Sequence, residues 1–294
     1  MEVVQDMTGK QEDMALRSAT GLEGGLVARG STCGVVTGGV LGIALMRIEE
    51  LDKGGEAAQL AVMKEAREYV DWFQKGFKTT LCRERTSVDF YKTFGQLRYL
   101  LPNAVGRCLW HTGKAASYLN LLSTSPLKVS IKNTTNLNSE TIHCATKVLT
   151  GVRESCGVGD EIVEKIAFVL DGGVALSGGL CGAMAGAVMA ANLVFGWDIR
   201  TMSYPATIKE FVRGHVNLLR KHTSEKPETF AIGKDIMNRL RGMETSLECS
   251  HITGKTFSSR DDFQAHMRSS SSCQNLIKEA IKVACEAITH ALPL

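Results

Sequence analysis

Residues 24–45 read GGLVARGSTCGVVTGGVLGIAL, and residues 172–193 read GGVALSGGLCGAMAGAVMAANL. Laid together without a gap, eight of the 22 positions are identical. They include Cys33/Cys181 and five glycine pairs: Gly24/Gly172, Gly25/Gly173, Gly30/Gly178, Gly34/Gly182 and Gly38/Gly186. A bias toward small residues inflates such a match, but it does not readily explain an aligned cysteine among aligned glycines. The chain is a tandem duplication of one unit.

The correspondence extends outward. After Cys33 comes an amphipathic stretch, 56–78, then Cys82 in LCRERTSVDF and Cys108 at the head of CLWHTGKAASYL. After Cys181 comes 206–221, which is taken as the matching stretch. Cys249 follows in ECSHITGKTFSSRDDF, and Cys273 heads CQNLIKEAIKVA. The last intervals are alike, 26 residues against 24, while the middle ones differ, 49 against 68. An insertion around 222–231, polar and carrying a proline, is assigned to the difference. Residues 122–140, rich in Ser, Thr and Asn, read as the connection between copies. Within them, 128–132 (KVSIK) alternates and suits one short strand. Asn138 or Ser139 suits the cap of a helix through His143 and Cys144. Elsewhere helical spacing and Ala, Leu, Glu and Lys dominate. The expected fold is mainly α. A first repeat over 1–128 and a second over 129–294 pack as a pseudo-two-fold pair, an intramolecular imitation of a dimer.

Composition narrows the function. The chain has 294 residues, 44% hydrophobic and 22% charged, and a net charge of +3. Two domains of ordinary soluble character fit these values. The charge is too small and too evenly spread for nucleic acid or an anionic membrane. Residues 172–197 carry no charge and are long enough to span a bilayer. The glycine cluster would break such a span near its middle, so a buried helix entered through a glycine turn is favoured. The first twenty residues contain no apolar run of the secretory kind, which points to a reducing, cytoplasmic setting. Nine cysteines are then expected as buried, redox-active or metal-bound thiols rather than as a disulfide scaffold.

The order and setting of those cysteines resemble the C-GCAxxG-C-C family of redox-active proteins. In the second half Cys144 in IHCATKVLTGV resembles the first family cysteine and Cys181 in GGLCGAMAG the second. Cys249 and Cys273 resemble the third and fourth. In the first half Cys33, Cys82 and Cys108 resemble the last three, and the spacing would put a first one before Met1. The resemblance implies a helical fold and a redox or cluster-related role.

The residues themselves allow two chemistries. Glycines 178, 179 and 182 permit a tight turn, and AMAGAVMAANL should be helical. That places Cys181, and likewise Cys33, at a helix start, where the dipole and free N–H groups favour a thiolate. Cys181 is thus the expected reactive thiol, with Cys249 or Cys273 as partner and Cys33 as its counterpart. The chain would then be a candidate oxidoreductase or electron-transfer protein serving a redox protein partner. Alternatively, Cys144, Cys181, Cys249 and Cys273 hold zinc or an iron–sulfur cluster, with His143 and His251 available for mixed ligation. A third alternative is a non-catalytic helical interaction protein. Cys156 and Cys285 have no counterpart in the repeat and read as packing residues. No CxxC, zinc-finger spacing, phosphate loop or GxSxG occurs.

Overall fold

The computed structural model describes residues 1–99, 101–128, 141–197, 199–219, 228–244 and 246–292. The first copy runs α1 (Glu2–Thr8), α2 (Asp13–Ala19), a 3-10 turn (Thr20–Leu22), α3 (Gly34–Met46), α4 (Ile48–Phe77), α5 (Cys82–Thr86), α6 (Thr93–Tyr99) and α7 (Pro102–Ser123). The second runs α8 (Cys144–Cys156), α9 (Glu161–Ile166), a 3-10 turn (Ala167–Leu170), α10 (Gly182–Phe195), α11 (Tyr204–Leu219), α12 (Thr229–Leu240), α13 (Cys249–Thr253), α14 (Arg260–Ser269) and α15 (Ser271–Ala291). No strand occurs among the described residues, so the fold is all-helical, as expected.

At the centre of each copy lies the small-residue helix, α3 or α10. Their sequences lack a polar face, which suits burial on all sides. Every residue of α10 from Gly182 to Leu193 is buried. Gly186 makes this packing close: a Cβ there would lie 2.9 Å from the Ala145 carbonyl oxygen of α8. Within the copies, α1, α4 and α7 pack on α3, as α8, α12 and α15 pack on α10. Between the copies the contacts are reciprocal. α3 packs on the second copy's 3-10 turn and α9, while α10 packs on the first copy's 3-10 turn and α2. The two sets merge into one hydrophobic core. This is the pseudo-two-fold pair anticipated from the repeat.

The alignment of the middle segments needs correction. The helix that packs on α10 and leads into Cys249 is α12, at 229–240, not the stretch 206–221. The extra element is therefore α11, which packs on α12 instead. Amphipathic spacing alone could not tell these two helices apart. The candidate insertion at 222–231 and the strand at 128–132 fall partly outside the described residues, and the caps Asn138 and Ser139 lie wholly outside them. The position before α8 is His143, and its side chain caps nothing within that helix. The membrane alternative for 172–197 is also replaced, since α10 has 14 residues where a span needs about 20. No helix among the described residues is long and apolar enough to cross a membrane.

The glycine-rich entry to each central helix takes an unusual form. Gly24, Gly25, Leu26, Val27 and Ala28 all have positive φ, and so do Gly172, Gly173, Val174, Ala175 and Leu176. Each run is a left-handed turn. Such backbone costs about 1–2 kcal/mol for each residue with a side chain. Long-reach hydrogen bonds offset this, including Ala175 N–H to Val169 O at 2.7 Å and Gly179 N–H to Gly173 O at 2.8 Å. Val174, Ala175 and Leu176 are also buried.

Candidate functional site

The left-handed turn lays residues 178–181 beside the segment that starts α13. Leu180 and Glu248 form an isolated antiparallel bridge. Cys181 N–H donates to Leu247 O at 2.8 Å, and Cys249 N–H donates to Gly179 O at 2.6 Å. Cys181 and Cys249 are thereby diagonal neighbours across the bridge, a placement that lets side chains meet on one face. The first copy repeats the device: Thr32 bridges Leu81, Cys33 N–H donates to Thr80 O, and Cys82 N–H donates to Ser31 O, both at 2.8 Å. The bridges meet at the pseudo-two-fold. Leu180 N–H donates to the hydroxyl of Thr32, its own counterpart, at 2.8 Å. Arg83 of one copy pairs with Glu248 of the other at 2.8 Å.

In the second copy four elements bring four thiols to one small cavity. Cys144 opens α8, Cys181 precedes α10, Cys249 opens α13 and Cys273 lies in the first turn of α15. The cavity has a volume of about 20 Å³, and Phe257, Phe263, Leu276 and Ile277 supply apolar wall. In the first copy Cys33, Cys82 and Cys108 line a larger cavity of about 450 Å³ with Phe90 and Tyr99.

Cys181 and Cys33 are the residues capping the starts of α10 and α3, as expected. The thiolate expectation fails. Burial pushes Cys181 up to about 11, and the N–H groups of Met184 and Ala183 recover only part of that shift. Burial likewise raises Cys33, against the pull of Arg85. Cys144 is raised well above its ordinary value by burial and then by Asp171, and Cys249 by burial and then by Cys181. The helix-start effect is a modest attraction that falls off within one turn, whereas complete desolvation of a thiolate shifts a pKa by several units.

His143 and His251 do not line the cavity. His143 Nδ1 bonds Asp171 Oδ2 at 2.6 Å, while the other Asp171 oxygen accepts from Cys144 N–H at 2.8 Å. Asp171 thus caps α8 from outside and fixes Cys144. His251 is exposed beside Ser246 and Glu248. The histidine at the cavity is His266, with Nε2 3.7 Å from Cys273 Sγ. It lies seven residues before Cys273 on another helix, so cysteine-adjacent histidines were a misleading guide. Burial, with Lys255 nearby, lowers its pKa from 6.5. At neutral pH its ring is uncharged and, in the Nδ1–H tautomer, Nε2 accepts from the thiol.

A four-thiolate metal or cluster needs its ligands around one point. Among the described residues, no three His, Cys, Asp or Glu side chains are so placed. A space of about 20 Å³, about that of one water molecule, is also too small for an iron–sulfur cluster. The thiols as arranged do not fit zinc or an iron–sulfur cluster.

Two stretches of the chain, 1–121 and 142–287, each match one family model, described as "putative redox-active protein (C_GCAxxG_C_C)". The chain belongs to this family. It carries the C_GCAxxG_C_C domain twice, and in the second copy four cysteines line one cavity. No curated protein and no solved structure matches it.

Proposed function

We propose that the second C_GCAxxG_C_C domain is a thiol–disulfide redox centre acting on a disulfide-bearing protein partner. The observation that carries this is the convergence of Cys144, Cys181, Cys249 and Cys273 on one small, largely apolar cavity. Cys273 is the outermost of the four, half-buried where the other three are buried. His266 is in reach of its proton. Cys273 therefore receives the partner first. Its sulfur attacks one sulfur of the partner's disulfide as its proton passes to His266. A mixed disulfide forms, and the partner's other sulfur leaves as a thiolate that takes up a proton. Cys249 or Cys181 then attacks the Cys273 sulfur and releases the second partner thiol. Two cysteines of the domain are oxidised to a disulfide and one partner disulfide is reduced to two thiols. The reverse sequence returns the electrons. A reducing compartment such as the cytoplasm suits nine free cysteines.

Differential alkylation with mass spectrometry, run across a series of thiol–disulfide buffers, tests this. The expected result is a reversible disulfide joining Cys273 to Cys249 or Cys181, or joining Cys181 to Cys249 after exchange. All four thiols remaining reduced across the series would overturn the proposal.

A further inference from the structure

Cys156 and Cys285 lie outside the cavity and outside the cysteine pattern of the family. Cys156 is the last residue of α8, and Cys285 lies on α15. The helices pack against each other, closely enough that a Cβ at Gly151 would lie 2.4 Å from Ile281 Cδ1. One turn further along, the two cysteines face each other. Their thiols are close neighbours. Both also reach the same acceptor, the Val152 carbonyl, at 3.3 Å from Cys156 Sγ and 3.9 Å from Cys285 Sγ. Each is half-buried rather than enclosed. Pure packing asks only for apolar contact and gives no reason for two sulfurs to be neighbours at a partly open position.

We infer that Cys156 and Cys285 form a second dithiol, which closes to a disulfide against a low-molecular-weight disulfide of the glutathione type. The inference stands on the convergence of these two thiols on one carbonyl, at a close helix contact, and does not depend on the chemistry of the four-cysteine cavity. Burial and the neighbouring thiol push Cys285 up to about 12, so Cys285 keeps its proton and Cys156 attacks first. Cys156 gives up its proton to solvent and displaces one glutathione as a thiolate, which takes up a proton, and becomes a mixed disulfide with the other. Cys285 loses its proton to solvent and attacks the Cys156 sulfur, releasing the second glutathione, which is protonated in turn. Two protein thiols are oxidised to one disulfide, and one glutathione disulfide is reduced to two thiols. The bond would join α8 to α15 at the ends opposite Cys144 and Cys273. Each cavity cysteine precedes its distal counterpart by twelve residues, about 18 Å of helix.

The test exposes the full chain to oxidised glutathione, blocks free thiols and maps the unreduced digest by mass spectrometry. The expected product is a peptide pair linked through Cys156 and Cys285, two hydrogens lighter and free of glutathione. It should persist in a Cys144→Ser/Cys273→Ser variant. Cys285→Ser should trap one glutathione on Cys156; should that variant fail to fold, the wild-type digest still decides. Both thiols remaining alkylatable, as packing residues would, overturns the inference. So does a wild-type chain that stops at glutathione adducts.

Discussion

Replacing His143 with alanine removes one of the two partners of a buried carboxylate. The Asp171 side chain is 2% exposed and that of His143 13%. Without His143, Asp171 Oδ2 loses its 2.6 Å bond, and only the Cys144 N–H remains, on Oδ1. Breaking a buried pair from one side costs about 3–5 kcal/mol. The surviving bond and the attraction of Arg260 put the expected loss near the low end, about 3 kcal/mol at slightly alkaline pH. The loss should depend on pH. Burial raises Asp171 above its ordinary 3.8, so the folded chain holds this proton more tightly than the unfolded chain does. Stability from a raised carboxyl is present at low pH and is lost as pH climbs through the folded pKa. The imidazole opposes that rise, and its removal lifts Asp171 further. Over the interval where the variant keeps a proton that the wild type has lost, the deficit should grow by about 1.4 kcal/mol per pH unit. Urea unfolding of both proteins between about pH 5 and 8 measures it, with His143→Gln as a control that restores a donor. A deficit below about 1 kcal/mol across that range would refute the assignment of Asp171 as a buried clamp on Cys144.

Cys181, held at about 11, should be roughly one part in 10⁴ thiolate at pH 7. Its alkylation in the native chain should then rise about tenfold per pH unit up to about pH 10; a plateau near pH 8 would contradict its burial. His266→Ala should slow disulfide formation at Cys273 by about 100-fold or more, read by stopped-flow thiol oxidation, while leaving thermal stability nearly unchanged. Gly186→Val should lower stability by about 1–3 kcal/mol, because its Cβ would meet the α8 backbone at Ala145; an unchanged melting temperature would show that α8 moves freely on α10. Ala175→Gly should be close to neutral, since relief of a left-handed residue offsets a lost methyl and added chain entropy. Ala187→Gly in α10 should cost about 2 kcal/mol, and equal losses for the pair would remove the case for strain.

The duplication, the helical class and the placement of Cys33 and Cys181 at helix starts were legible because each has a local signature. A glycine cluster followed by an unbroken small-residue run has few other structural solutions. The convergence of Cys144, Cys249 and Cys273 could be anticipated from the motif but not from spacing, because it depends on how four elements pack. Thiol chemistry is hidden from the sequence for the same reason: burial is a tertiary quantity, and at Cys181 it outweighs two backbone donors that sequence can place. Helices α11 and α12 are both amphipathic, and only packing on α10 separates them. His266 has no cysteine beside it in sequence, because it reaches Cys273 across the turn between α14 and α15. The approach of Cys156 to Cys285 has no sequence signal, since α8 and α15 are distant in the chain.

Reciprocal packing of α3 and α10 on each other's 3-10 turns has a consequence for how the protein tolerates damage. Neither copy closes its own interior, so each serves as the lid of the other. The chain should unfold in a single step, with no state in which one copy survives alone. Two fragments separated between the copies would be incomplete halves, soluble and folded only when mixed. The first copy therefore matters to the four-thiol cavity whatever its own three cysteines do. A lesion at Thr32, 148 residues from Leu180, would be felt at Cys181 as directly as one in the cavity wall.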